Sequence, residues 1–334
     1  SWSERVRFGS AAKSRYTPAI VKSIFVSLLL VAVVVPLWVG ASDPTAAEQA
    51  IDPSPGCVHE MVYDPFANLI LVKMSVGDSL PLTFILDTGA TQSALTDPLL
   101  ATFLGIKIRE AGLARGMGAG ATWVRITEEV SLRNGGWPIL ETALVVHDIG
   151  SQLAAQARRP IDGFIGWELF DRYVVELDPV GRRLLLHDPA TCVDEGDGEV
   201  LPMKVVGRRP LVTASVVVKK GEKPVPVNLI VDTGSNRSLS LISRSRRRLK
   251  PPENLKQDKS IGVTGDISVV VGRTARLEMG PLDSTNVETT WVEPYRIPAA
   301  RNIDDLNGVL GNPLLNDYHV FFDYRGGRFI LEPL

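Results

Sequence analysis

Two copies of one short phrase carry the chemistry of this chain. Phe84-Ile85-Leu86-Asp87-Thr88-Gly89-Ala90 recurs as Leu229-Ile230-Val231-Asp232-Thr233-Gly234-Ser235. In each, an apolar run delivers an Asp-Thr-Gly. At average residue usage a given tripeptide arises on the order of 10⁻⁴ times per position, so two copies in matching contexts point to a paired site. Two carboxylates brought to about 3 Å cannot both ionise. One then serves as base toward a water while the other keeps a proton to donate, and the two titrate as a pair.

The elements that must position the aspartates repeat with them. Asp87 and Asp232 lie 145 positions apart, and the same offset carries Asp162-Gly163-Phe164-Ile165-Gly166 onto Asn307-Gly308-Val309-Leu310-Gly311. It also maps Tyr173, Asp178, Gly181, Arg183 and Leu186 onto Tyr318, Asp323, Gly326, Arg328 and Leu331. A fixed offset held from about residue 81 to 186 marks two copies of one supersecondary plan. Alternating apolar segments predict strands over 69–76 and 82–86, copied at 211–218 and 225–231. Each copy closes on a hairpin, 173–178 with 183–187 and 318–323 with 328–332. Asp97 as N-cap, Pro98 at the first helical position and Gly105 beyond the end frame a short helix. Strands dominate, so the expected fold class is mainly β.

Composition narrows the partners. The chain has 334 residues, 45% of them apolar and 22% charged, with a net charge of −2. Nothing there favours a nucleic acid. There is no His-Glu-x-x-His, Cys-x-x-Cys or Gly-x-Ser-x-Gly motif, so neither metal nor cofactor is expected. Near the amino end, Arg5, Arg7, Lys13, Arg15 and Lys22 precede an uncharged run over 23–42. This reads either as a cleaved signal peptide, with Val39-Gly40-Ala41 at the cleavage site, or as a retained anchor over 23–41. Both place the remainder outside the cytoplasm, periplasmic or extracellular, with membrane contact only through this segment. In such a compartment Cys57 and Cys192 are a disulfide candidate bracketing the first copy, the alternative being two buried thiols. The expected organisation is 1–56 signal or anchor plus stem, 57–192 first lobe, 193–204 linker and 205–334 second lobe. The run Arg244, Arg246, Arg247, Arg248 and Lys250 reads as a solvated helix face and loop.

The doubled Asp-Thr-Gly, each with a later apolar-apolar-Gly block, resembles the aspartic proteases of the pepsin and retropepsin superfamily over roughly 65–188 and 205–332. Ala90 looks like the retroviral type and Ser235 like the pepsin type; the compact copies are similar to retropepsin halves, here in one exported, bacterial-type chain. The resemblance implies two retropepsin-like β-barrel lobes forming a pseudo-dimer with a cleft between them. It further implies an aspartic endopeptidase acting on peptide or protein substrates through Asp87 and Asp232, as a monomer. Thr88, Gly89, Thr233, Gly234 and Ser235 would be the supporting loop residues, the threonines locking the loops together and Ser235 bonding Asp232. Flap candidates are Gly118 and Gly120 in the first copy and Gly262 and Gly265 in the second. The alternative is a catalytically silent peptide-binding module of the same fold.

Overall fold

The computed structural model describes residues 57–114, 122–191, 197–253, 255–262, 265–293, 303 and 305–334. The amino-terminal segment, the flap glycines Gly118 and Gly120, and Cys192 with its expected pairing to Cys57 lie outside the described residues. Among the described residues, no helix is long and apolar enough to cross a membrane.

The fold is mainly β. The first half runs β1 (Cys57–Phe66), β2 (Leu69–Val76), β3 (Leu82–Leu86), β4 (Ala94–Leu95), α1 (Pro98–Phe103), β5 (Ile108–Ala114), β6 (Thr122–Asn134) and β7 (Trp137–Val146). It continues through α2 (Gly150–Ala157), β8 (Gly163–Ile165), α3 (Trp167–Arg172), β9 (Val174–Asp178) and β10 (Arg183–His187). The second half runs β11 (Glu199–Val206), β12 (Arg209–Val217), β13 (Val225–Asp232), β14 (Leu239–Ile242), β15 (Lys256–Gly262), β16 (Gly265–Met279) and β17 (Leu282–Val292). It ends with β18 (Leu306–Gly311), a 3₁₀ turn (Asn312–Leu314), β19 (Tyr318–Asp323) and β20 (Arg328–Pro333).

Strand pairing closes a ring in each half. In the first half the order is β2-β3-β8-β4-β7-β6 and back to β2. In the second it is β12-β13-β18-β14-β17-β16 and back to β12. Closure leaves few unpaired strand edges. Alternation along the strands fills both faces. Ile70, Val72, Met74 and Val76 point into the main core, while Leu71 and Ile85 join Ile161 on the other face, under Leu153 and Ala157 of α2. Phe84, Leu86, Leu229 and Val231 are fully buried beside the two Asp-Thr-Gly loops, and truncating either leucine to Ala should cost about 2–5 kcal/mol.

A third sheet joins the halves. Its order is β1-β10-β9-β19-β20-β11, and the seam is the β9–β19 pair, with Val320 opposite Leu177 and Phe322 opposite Val175. Residues 199–204, expected to end a linker, instead begin β11, whose Glu199–Pro202 pair with Leu331–Arg328. That strand satisfies the outer edge of the third sheet, which a free linker would leave open. The basic run over 244–250 forms turns rather than a helix; Leu249 is fully buried and Arg244 takes a positive φ of 61°.

Candidate active site

Each Asp-Thr-Gly loop leaves the end of a strand that is gripped from the side. Asp87 follows β3 and Asp232 ends β13, and each strand runs parallel to a neighbour carrying the apolar-Gly block. Leu86 lies opposite Ile165 in one half, and Val231 opposite Leu310 in the other. The block's first residue ties the crossing down. Asp162 accepts from the Thr83 amide at 2.7 Å, and Asn307 accepts from the Asn228 amide at 2.9 Å. Past the loops, the Trp167 amide donates to the Ala90 carbonyl and the Asn312 amide to the Ser235 carbonyl. The side-by-side placement of the aspartates therefore rests on a backbone frame that the two halves share.

The threonines lock the loops across the halves. The Thr88 hydroxyl donates to the Val231 carbonyl at 2.7 Å and accepts from the Thr233 amide at 2.9 Å. Reciprocally, the Thr233 hydroxyl donates to the Leu86 carbonyl at 2.7 Å and accepts from the Thr88 amide at 3.1 Å. Both threonines are fully buried. Four backbone groups that would otherwise be stranded away from water are satisfied this way.

The glycines are required by space rather than by a turn. Neither Gly89 nor Gly234 takes a positive φ. A Cβ on Gly89 would lie 2.7 Å from the Asp232 carboxyl carbon, and one on Gly234 would lie 2.4 Å from that of Asp87. Each loop thus packs its glycine directly against the other loop's carboxylate, which draws the two carboxylates together.

The two aspartates are half-buried and differ in their donors. Asp87 Oδ1 accepts from the amides of Gly89 at 2.8 Å and Ala90 at 3.0 Å. Asp232 Oδ1 accepts from the Gly234 amide alone, at 3.0 Å. Ser235, expected to bond Asp232, does not do so through its hydroxyl, which lies against Gly311 instead; its amide donates to the Asp232 backbone carbonyl. Burial pushes the Asp87 carboxyl above the usual range, opposed by its bonds to Asp232, Gly89 and Ala90. Burial, and then the Asp87 charge, hold Asp232 well above that range.

Three further residues surround the dyad that the sequence analysis did not single out. Arg208 and Arg209 lie at the β11–β12 reversal, where Gly207 and Arg208 both take positive φ. The Arg209 Nε donates to the Gly89 carbonyl at 2.8 Å, and burial lowers its pKa against the pull of Asp232 and Asp87. The Arg208 guanidinium stacks 4.4 Å over Trp167 and donates to the Thr91 carbonyl at 3.2 Å. Tyr324, in the β19–β20 turn, is buried and stacked on Phe170, and its hydroxyl has no hydrogen-bond partner among the described residues. Burial and the two aspartates keep this phenol well above its usual pKa, so it stays neutral. The only signal for the arginines was a tandem pair just ahead of a predicted strand.

Of the flap candidates, Gly262 and Gly265 sit on an outlying hairpin. Beyond the rings, β5 pairs with β6 and β15 with β16, and Gly262 stands opposite Gly265 where the second hairpin reverses. Among the described residues no His, Cys, Asp and Glu cluster could hold a metal ion.

No curated protein matches the chain. Residues 72–169 match the family model described as aspartyl protease. That span runs from within β2 to the first half of α3 and holds Asp87 but not Asp232; over this stretch it supports an aspartyl protease family.

Proposed function

We propose that this protein is an aspartic endopeptidase whose two retropepsin-like lobes, in one exported chain, form a pseudo-dimer around Asp87 and Asp232. The observation that carries the reading is the reciprocal packing of Gly89 on the Asp232 carboxylate and Gly234 on the Asp87 carboxylate, at 2.7 and 2.4 Å for a built Cβ. That packing supports a reading in which the two carboxylates share a single water. The half-burial of both keeps the site accessible to that water and to a peptide bond. Because burial raises both carboxyls, and the Asp87 charge raises Asp232 further, one proton stays on the pair well above the pH at which a free aspartate loses it. Base and acid therefore coexist, as amide hydrolysis requires. Both aspartates come from the same chain, so the active species is the monomer.

A peptide-library digest by the purified full chain across pH 3–7 tests the reading. The expected result is cleavage abolished by Asp87→Asn, by Asp232→Asn and by pepstatin. Peptide binding with no cleavage at any pH would instead identify a silent binding module. A single Asn variant with near-normal turnover would remove the dyad from the mechanism.

A further inference from the structure

The two Asp-Thr-Gly loops are alike in sequence but are not held alike. The difference lies in one peptide unit. Between Gly89 and Ala90, the carbonyl accepts from the Arg209 guanidinium at 2.8 Å while the amide donates to Asp87 Oδ1 at 3.0 Å. The same peptide thus has a cation on its oxygen and a carboxylate on its hydrogen. Hydrogen bonds chained through one peptide polarise each other in the same direction, so the guanidinium strengthens the amide's hold on a charged Asp87. Arg208 adds to the clamp two residues on, through Thr91 and Trp167.

The other loop has no counterpart. The Ala90 and Ser235 amides both donate to their own aspartate's backbone carbonyl, at 3.2 and 3.1 Å, but only the Ala90 amide also reaches a carboxylate oxygen, and no side chain among the described residues donates to the Gly234 carbonyl. At the position matching the arginines, the first half's β1–β2 hairpin offers Ala67, Asn68 and Leu69. Its contact to the second half is the Asn68 carbonyl accepting from the Asn312 amide group at 3.0 Å. A charged clamp reaches onto the Asp87 loop, while the matching hairpin makes only a neutral contact, to Asn312 in the 3₁₀ turn beside the Asp232 loop.

We propose that Arg209, seconded by Arg208, is a positioning residue that makes Asp87 the charged base of the dyad and leaves the proton on Asp232 as the acid. The assignment rests on the peptidase reading given above. In the first step Asp87 takes a proton from the water while the water oxygen bonds to the peptide carbonyl carbon, and Asp232 gives its proton to the carbonyl oxygen. In the second, the proton on Asp87 passes to the leaving nitrogen as the C–N bond breaks, and one hydroxyl proton of the intermediate returns to Asp232. Atoms and charge balance, and the dyad ends as it began. The titratable and charged groups facing Asp87 are Asp232, Arg209 and Tyr324. Tyr324 remains neutral and the Arg209 charge acts on both carboxylates, on Asp232 before Asp87, so the asymmetry falls to the arginine's hydrogen bond through the Gly89–Ala90 peptide and to the extra amide bond on Asp87.

Two measurements on the full-length protein test this. The first is the pH profile of kcat/KM for wild type, Arg209→Met, Arg209→Lys and Arg208→Met on a fluorogenic peptide. Arg209→Met should move the acidic limb toward neutral by about one pH unit, about a tenfold loss on that slope. The alkaline limb should move less, with Arg209→Lys and Arg208→Met between wild type and Arg209→Met. A merely structural arginine would lower the profile without moving its limbs, and that result overturns the proposal. So does an alkaline limb that moves as far as the acidic one. The second uses ¹³C-carboxyl aspartate NMR and needs no arginine variant to fold. Asp87 in the Asp232→Asn protein should titrate at lower pH than Asp232 in the Asp87→Asn protein, and the reverse order refutes the assignment. If that order holds while no peptide is cleaved, the peptidase function fails and the charge assignment stands.

Discussion

Replacing Thr88 by Val is the sharpest probe of how the halves hold the dyad. The substitution keeps the volume and branching of the side chain and removes only the hydroxyl. Two backbone groups of the opposite loop then lose their partners: the Val231 carbonyl, bonded at 2.7 Å, and the Thr233 amide, bonded at 2.9 Å. Thr88 and Thr233 are fully buried, so no water replaces the hydroxyl. An unsatisfied buried polar group costs about 1–3 kcal/mol, which sets an expected loss of roughly 2–6 kcal/mol. Thr233→Val strands a different pair, the Leu86 carbonyl and the Thr88 amide, so its cost should be similar. The double variant should lose less than the sum, because a loop already freed has less geometry left to lose. Urea unfolding followed by tryptophan fluorescence measures each value, and turnover of the folded fraction reports whether the dyad is still aligned. Thr88→Ser, which keeps the hydroxyl, should retain most of both. A Thr88→Val protein within about 0.5 kcal/mol of wild type and fully active would show that the cross-loop bonds neither hold the halves nor align the dyad.

Gly89→Ala and Gly234→Ala should act on chemistry rather than folding. Each Cβ would collide with the opposite carboxylate, at 2.7 and 2.4 Å, without straining a backbone already free of positive φ. The expected outcome is a loss of at least about 100-fold in kcat with little change in thermal midpoint. Asp232→Asn should be more stable than wild type at neutral pH, because both dyad carboxyls are raised in the folded protein. The folded state then binds more protons above about pH 4, and wild-type stability falls as pH rises through that window. A calorimetric comparison should show the variant's advantage disappearing near pH 3. Asp178→Asn should do the opposite. Burial pushes Asp178 up, but the Gly181 amide, Arg183 and His319 together hold it below the usual range. Its contribution of about 2–3 kcal/mol is present at neutral pH and lost as pH falls below about 4, so the two proteins should converge in acid.

The parts of the fold legible in the sequence are those where local chemistry and the repeat agree. Asp178, Gly181 and Arg183 map onto Asp323, Gly326 and Arg328, and the structure gives both sets one arrangement. In each the glycine amide donates to one carboxylate oxygen, at 2.8 and 2.7 Å, and the arginine to the other. The strands at 69–76 and 82–86 and the Asp97-capped helix follow from alternation and capping in the same way, Asp97 accepting from the Leu99 amide at 2.7 Å. Helix α2 was not legible, since Gly150 opens it, Ile149 offers no capping side chain, and its apolar residues are few. Tertiary packing of Leu153 and Ala157 on Ile161 forms it. Strand β11 was hidden by its acidic surroundings and by Pro202, which an edge strand tolerates.

The arginine clamp escaped notice because the repeat that reveals the dyad changes frame in front of it. From residue 81 onward the two halves correspond at an offset of 145, so Arg209 would fall on Asp64 in β1. Pairing within the sheets gives a different match. Leu71 stands opposite Ile85 and Leu211 opposite Ile230, so β2 and β12 correspond at an offset of 140. The five extra residues are taken up in the β12–β13 connection around Lys219–Lys223. On that register Arg209 replaces Leu69, an apolar residue that in the first half packs on Leu71, Ile85 and Ile161. A hydrophobic position in one copy has become a half-buried cation in the other, bonded to the loop across the seam. Duplication supplied two equivalent carboxylates. The proposed water-activating role needs them inequivalent, and a substitution outside the repeated motif is the economical place to make them so.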